Sequence, residues 1–426
     1  MRVLIFGFGV LGGGYAAASY FLDRGDEVRI TDLRSEQELG EPLQLLKRQG
    51  ATAICQTHRE EDFKWADLVI KNPAVPIESP YLLLAKDSAT DISFLFSSPL
   101  VKGINIVIVT GTKGKTTTVA ATTHVLNQTK GETLQLGNMG VSGFTILDIL
   151  EKRAKMGEAM PLYLVSELSS WQIRDLFKLS PRKLPRFKAL LLTSLFPDHL
   201  NSYSDYQAYK EDKWLLFKTG ATRVIVPAEI SQELINAKVD SIKTIESFPG
   251  YEKQPPRLRP AWALCRSLGV GSRQVTSAFE SFTGVPHRQE ALGMKGDVLF
   301  INDSAATIPE AVAFTCSNSP FHYHLICGGT DKNLEAQAML PPLKVARSVH
   351  LLAGSFTTNK LIPFLEKHSI AYEGPFITME KAVESAYSKA KKGEAVILSP
   401  GASSFDLFKH EFDRGEQFRE AVKNLD

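Results

Sequence analysis

The segment INIVIVTGTKGKTTT, residues 104–118, constrains the fold of this chain more than any other. Its β-branched run suits a buried strand, and Gly111-Thr112-Lys113-Gly114-Lys115-Thr116-Thr117 then breaks into a turn that opens a helix. A strand–loop–helix of this kind offers one anion a row of backbone N–H groups, a lysine charge and a hydroxyl. That combination suits a triphosphate and its magnesium. The general form of the loop has a further glycine five residues before Gly114, where this chain has Val109, so the loop is a shortened variant.

A second glycine loop lies at the N-terminus. Arg2 to Phe6 reads as a strand, Gly7-Phe8-Gly9-Val10-Leu11-Gly12 as a turn, and the alanine-rich stretch to about Arg24 as a helix. Glu27 to Thr31 reads as a second strand ending in Asp32, which completes a dinucleotide-type fingerprint. Taken alone, the first hundred residues favour a nicotinamide-dependent oxidoreductase. Val3 to Leu22 carries no charge and imitates an export signal or a membrane span, but five glycines interrupt it. No export and no membrane insertion are expected, and a cytoplasmic location follows.

At 426 residues the chain has room for three domains. Strands alternate with helical stretches throughout, so the fold class is α/β with three consecutive parallel-sheet domains. The expected divisions are 1–99, a Rossmann-like domain; 100–284, a central phosphate-loop domain; and 285–426, a second Rossmann-like domain. A net charge of +2 without a basic stripe argues against nucleic acid as a partner. The four cysteines have no paired spacing and read as reduced core residues.

Ligands of open parallel sheets bind beyond the carboxyl ends of strands. Glu167, Asp198-His199 and Asp303-Ser304 all fall at such ends. Each alone is more often a helix cap or a spacer, but together after a phosphate loop they form a set of hard ligands. With Thr116 they could hold magnesium between phosphates. Lys213 lies in a helical stretch soon afterwards, and periodicity alone leaves it solvated. His322 and His324 share one strand face, with no third metal ligand evident.

These residues resemble the Mur ligase family, the ATP-dependent amide-forming enzymes of peptidoglycan synthesis, over nearly the whole chain. The points of resemblance are the loop Gly111 to Thr117, Gly137-Asn138-Met139-Gly140, Asp198-His199, Pro286-His287-Arg288, Asn302-Asp303-Ser304, Gly328-Gly329-Thr330-Asp331-Lys332, and Leu398 to Asp406 followed by Arg414-Gly415. Within the family, Glu167-Leu168-Ser169-Ser170-Trp171-Gln172 and the N-terminal glycine loop are most similar to the member that adds D-glutamate.

The resemblance implies ATP, UDP-N-acetylmuramoyl-L-alanine and D-glutamate as substrates, an acyl-phosphate intermediate and a monomeric enzyme. It also implies roles. Lys115 and Thr116 would meet ATP phosphates, with Thr116, Glu167, His199 and Lys213 forming two Mg2+ sites, Lys213 as a carbamylated lysine. Arg288 and Asp303 would contact the nucleotide. The UDP-sugar peptide would lie against Gly9, Val10, Leu11, Asp32, Arg34, Asn72, Asn138 and Ser169. Thr307, Lys332, Ser404 and Phe412 would border the incoming amino acid.

Four positions depart from the family pattern. Lys113 stands where asparagine is usual, and Ala305 where lysine is usual. Gly250-Tyr251-Glu252-Lys253 replaces a Gly-x-His-Asn stretch, and Phe412 is displaced by one place. A non-catalytic Mur-like nucleotide-binding protein is therefore a further alternative, beside the oxidoreductase.

Overall fold

The computed structural model describes residues 1–9, 12–137, 141–179, 182–197, 203, 205–236, 239, 242–317, 319–331 and 334–425. The chain divides into two compact units, residues 1–282 and 283–426.

The first unit carries two parallel sheets. One comprises β1 (Arg2–Phe6), β2 (Glu27–Asp32), β3 (Thr52–Cys55), β4 (Leu68–Lys71) and β5 (Ser88–Ala89), in the order 3-2-1-4-5. The other comprises β6 (Asn105–Thr110), β7 (Thr133–Leu136), β8 (Tyr163–Glu167), β9 (Ala189–Leu192), β10 (Val224–Val226) and β11 (Ile242–Thr244), in the order 11-10-9-6-8-7. These sheets lie within the expected divisions 1–99 and 100–284 respectively. Helices cover both faces, so strands such as β9, Ala-Leu-Leu-Leu, are buried at every residue. One apolar core runs from the first sheet into the second. Phe21, Phe94 and Phe144 meet in it, from three different helices.

The second unit carries β12 (Glu290–Lys295), β13 (Val298–Asn302), β14 (Tyr323–Cys327), β15 (Ser348–Leu352), β16 (Glu373–Phe376) and β17 (Ala395–Leu398), in the order 12-13-17-14-15-16. Five of these strands are parallel, as expected. The edge strand β12 is antiparallel to β13, so this sheet is mixed. Gly296 (φ 49) and Asp297 (φ 66) join the two strands. Positive φ at both central residues is the turn whose twist suits a two-residue hairpin, which is why the chain doubles back here instead of crossing over.

Candidate active site

In the second sheet β6 lies between β8 and β9, and the phosphate loop follows it at the carboxyl edge. Gly111 (φ 144) and Gly114 (φ 82) occupy the region that favours glycine. A Cβ on Gly111 would stand 2.1 Å from Thr193 Oγ1, so no side chain fits. The segment after β9 braces the loop. Thr112 N–H donates to the Ser194 carbonyl and Lys113 N–H to Ser194 Oγ, both at 2.9 Å. The Thr112 hydroxyl donates to the Phe196 carbonyl at 3.1 Å.

The helix Lys115–Thr129 starts at Gly114, and Thr117 lies half-buried in its first turn. Its first-turn N–H groups have no carbonyl four residues back. Thr116 is buried and donates its hydroxyl to Glu167 Oε2 at 2.8 Å. Glu167 ends β8, and Gly137 lets it approach, because a Cβ there would come within 2.7 Å of Glu167 Cβ. Lys115 Nζ donates to the Thr112 carbonyl at 3.1 Å and lies 4.0 Å from Glu167 Oε1.

Lys213, on the helix Tyr206–Phe217, is buried and not solvated. Its Nζ donates to the Gly111 carbonyl at 3.2 Å and stands over the Tyr209 ring. The fold therefore brings Lys115, Thr116, Glu167 and Lys213 to one loop. His199 lies outside the described residues, as does Asn138. Among the described residues no three His, Cys, Asp or Glu side chains form a metal-binding group. His324 instead bonds Ser348 through one ring nitrogen and Glu394 through the other.

At the switch point of the first sheet, Gly7 and Gly9 follow β1 and Asn72 follows β4. A Cβ on Gly9 would come within 2.9 Å of Asn72 Nδ2. Val10 and Leu11 lie outside the described residues. Asp32 is turned inward. Its Oδ2 accepts from Phe8 N–H at 2.8 Å and from Gly9 N–H at 3.3 Å, and Arg34 donates to both of its oxygens. Burial opposes ionisation of Asp32, but Arg34 and the backbone donors prevail and hold its carboxyl below the usual carboxylate range. A dinucleotide-binding acid must leave its carboxylate for a ribose hydroxyl, and this one is engaged by its own loop. Ser169 likewise caps a helix: it accepts from Gln172 N–H, and the Gln172 side chain accepts from Ser169 N–H.

In the second unit, Asp303 follows β13 and accepts from Gln289 N–H, Thr315 and Ser399. Burial pushes its carboxyl up to about 6 against those donors. Arg288 Nε and Ser404 Oγ are buried with no hydrogen-bond partner among the described residues. Unsatisfied buried donors at a carboxyl edge are groups a polar ligand can complete. Thr307 is half-buried nearby in sequence, and Phe412 lies against the His287 ring. Lys332 lies outside the described residues. Arg414 is wholly buried and donates to the Ser304, Ala402 and Ser403 carbonyls, joining the loops after β13 and β17.

Residues 109–250 match the model of the Mur ligase middle domain. The UDP-N-acetylmuramoylalanine–D-glutamate ligase of Borreliella afzelii (strain PKo) is 30% identical over 462 residues, covering 100% of this chain and 98% of that protein. The chain belongs to the Mur ligase family. As a Mur ligase it is an ATP-dependent ligase of peptidoglycan synthesis, and nothing among its relatives favours the oxidoreductase alternative. The protein of the same name from Treponema pallidum (strain Nichols) is 29% identical, covering 99% of this chain and 97% of its own. Two solved structures share the fold. One is the UDP-N-acetylmuramate-alanine ligase MurC of Thermotoga maritima, with TM-score 0.60, 16% identity and 99% of each chain covered. The other is the MurF ligase of that organism in complex with ADP, with TM-score 0.57, 15% identity, and 93% and 95% covered.

Two residues of this Mur ligase have no signal in the sequence. Lys71 ends β4, and Asp175 lies on the helix Ser170–Lys178. Both are buried, and they pair at 2.6 Å. No local pattern announces a lysine and an aspartate 104 positions apart.

Proposed function

We propose that this enzyme adds D-glutamate to UDP-N-acetylmuramoyl-L-alanine with ATP, through an acyl phosphate. The observation that carries the reading is the buried Thr116–Glu167 pair, set beside Lys115 where the phosphate loop opens its helix. The curated relatives that name this reaction supply the substrates.

The chemistry needs that cluster. A carboxylate is a poor acyl donor until a phosphoryl group is transferred to it, and transfer between anions requires positive charge and fixed geometry. In this reading Gly111 to Thr117 with Lys115 hold the ATP phosphates. The alanyl carboxylate takes the γ-phosphoryl group, and the D-glutamate amine then attacks the acyl carbon, with phosphate leaving.

The Thr116 hydroxyl and the Glu167 carboxylate are hard oxygen donors already within hydrogen-bond distance, so they fit Mg2+. His199 and a carbamylated Lys213 would complete its ligands. The ion would neutralise phosphate charge. Lys213 is placed for that role because its buried amine already faces the phosphate loop at the Gly111 carbonyl.

The three sheets serve as three domains in this proposal. The first holds the UDP moiety near Gly9 and Asn72, with Asp32 and Arg34 shaping the loop and Asn138 and Ser169 further along the substrate. The third offers Arg288 and Asp303 to the nucleotide, and Thr307, Lys332, Ser404 and Phe412 to D-glutamate. The unpartnered Arg288 Nε and Ser404 Oγ support that assignment. A monomer in the cytoplasm completes the proposal; among the described residues no helix is long and apolar enough to cross a membrane.

The test is phosphate release from ATP with UDP-N-acetylmuramoyl-L-alanine, with and without D-glutamate. Release that depends on D-glutamate is expected. Release independent of it, or none, would sink the assignment, and no release would favour a non-catalytic nucleotide-binding protein.

A further inference from the structure

The Lys71–Asp175 pair joins the two sheets of the first unit. Lys71 Nζ donates to Asp175 Oδ2 at 2.6 Å and to the Asn72 carbonyl at 3.2 Å. Both side chains are 1% exposed, and Asp175 Oδ1 has no partner among the described residues. Burial lowers the lysine and raises the aspartate, while each partner opposes the other's shift. A buried pair of this kind gains little net stability, because desolvation cancels much of the attraction. Stability alone does not account for it.

Its neighbours do. Lys71 directly precedes Asn72, the residue packed against the glycine loop. Asp175 lies on the helix capped by Ser169, two residues after Glu167. The intervening Leu168 is tied to the phosphate-loop strand on both sides: its N–H donates to the Val109 carbonyl at 3.0 Å, and its carbonyl accepts from Thr110 Oγ1 at 2.8 Å. From the same helix Lys178 reaches Asp212, the neighbour of Lys213, at 2.8 Å. One ion pair thus sets the first sheet's glycine-loop edge in register with the elements that carry Glu167 and Lys213.

We infer that Lys71 and Asp175 are positioning residues that fix the spacing between the glycine-loop site and the phosphate loop, and thereby place the substrate's carboxylate for phosphoryl transfer. The inference rests on the proposed function, in which one substrate spans both edges. A misplacement of about 1 Å in such an arrangement costs on the order of a hundredfold in rate.

The test uses the full-length enzyme with Lys71→Met and Asp175→Leu combined, since removing one partner alone strands a buried charge. Circular dichroism checks the fold, titration calorimetry the separate affinities for ATP and for the UDP-linked substrate, and phosphate release gives kcat. The double variant should fold and bind each ligand within about threefold of wild type, while kcat falls at least about tenfold, part of the hundredfold span for misplacement. An unchanged kcat would overturn the inference. So would parallel loss of both affinities, or a double variant that does not fold, because either would make the pair a general support of the fold. A wild-type enzyme without D-glutamate-dependent turnover would instead count against the proposed function.

Discussion

Thr116 places its hydroxyl 2.8 Å from Glu167 Oε2 in a buried setting, joining the helix after the phosphate loop to the last residue of β8. Because both groups lie at the carboxyl edge of the second sheet, their loss should spare binding at the first. Thr116→Ala or Glu167→Gln should each lower kcat by about a hundredfold or more, the scale for removing one preorganised electrostatic contact. Affinity for the UDP-linked substrate, followed by calorimetry, should stay near wild type. Its loss together with turnover would contradict the division of ligands between sheets.

Lys213 faces the Gly111 carbonyl from a buried position. If carbon dioxide converts its amine to a carbamate, Lys213→Ala removes an anion that small molecules can replace. Added formate or acetate should restore part of the lost activity. Absence of rescue, measured by phosphate release, would identify Lys213 as a plain cation at the loop.

Gly14 is the second residue of the helix Gly13–Leu22, where the backbone passes so close that a Cβ would stand 2.1 Å from the Phe8 carbonyl oxygen. Backbone cannot rotate away as a side chain can. Gly14→Ala should therefore destabilise the first unit by about 3 kcal/mol, the upper part of the usual overpacking range. A urea midpoint equal to wild type would refute this.

His350 is wholly buried in the second unit between Ser348 and Ser385, with Lys389, Glu373 and His324 the charged or titratable groups around it. Burial, aided by His324, pushes it down to about 4. An unfolded chain binds a proton at a histidine near pH 6.5, so between about 4 and 6.5 the unfolded state holds more protons than the folded one. This group's contribution is fully present above 6.5 and is lost as pH falls to 4, up to about 3 kcal/mol. His350→Gln should flatten that part of the pH–stability curve. An unaltered slope by urea unfolding would show that His350 does not carry it.

Much of this was legible in the chain because parallel sheets read locally. Strands such as Ala189–Leu192 and Ser348–Leu352 are apolar runs bounded by turns, and the glycine loops sit where strands end. Short or half-exposed strands did not announce themselves. Glu290–Lys295 lacks an apolar run, although Gly296-Asp297 is a hairpin signal that could have exposed it. Roles were harder than places. Asp32 and Ser169 stand where ligand contacts were expected, yet their side chains serve their own backbone, because a short polar side chain meets nearby N–H groups first. The burial of Lys213 and the Lys71–Asp175 pair arise from tertiary packing, which helical periodicity does not encode.

Asp32 has one more consequence. By accepting from Phe8 N–H and Gly9 N–H, it holds the start of the glycine loop in place. A nucleotide bound at this edge, as proposed, would meet backbone already held at Phe8 and Gly9, and the entropy of ordering those two residues would not have to be subtracted from its affinity.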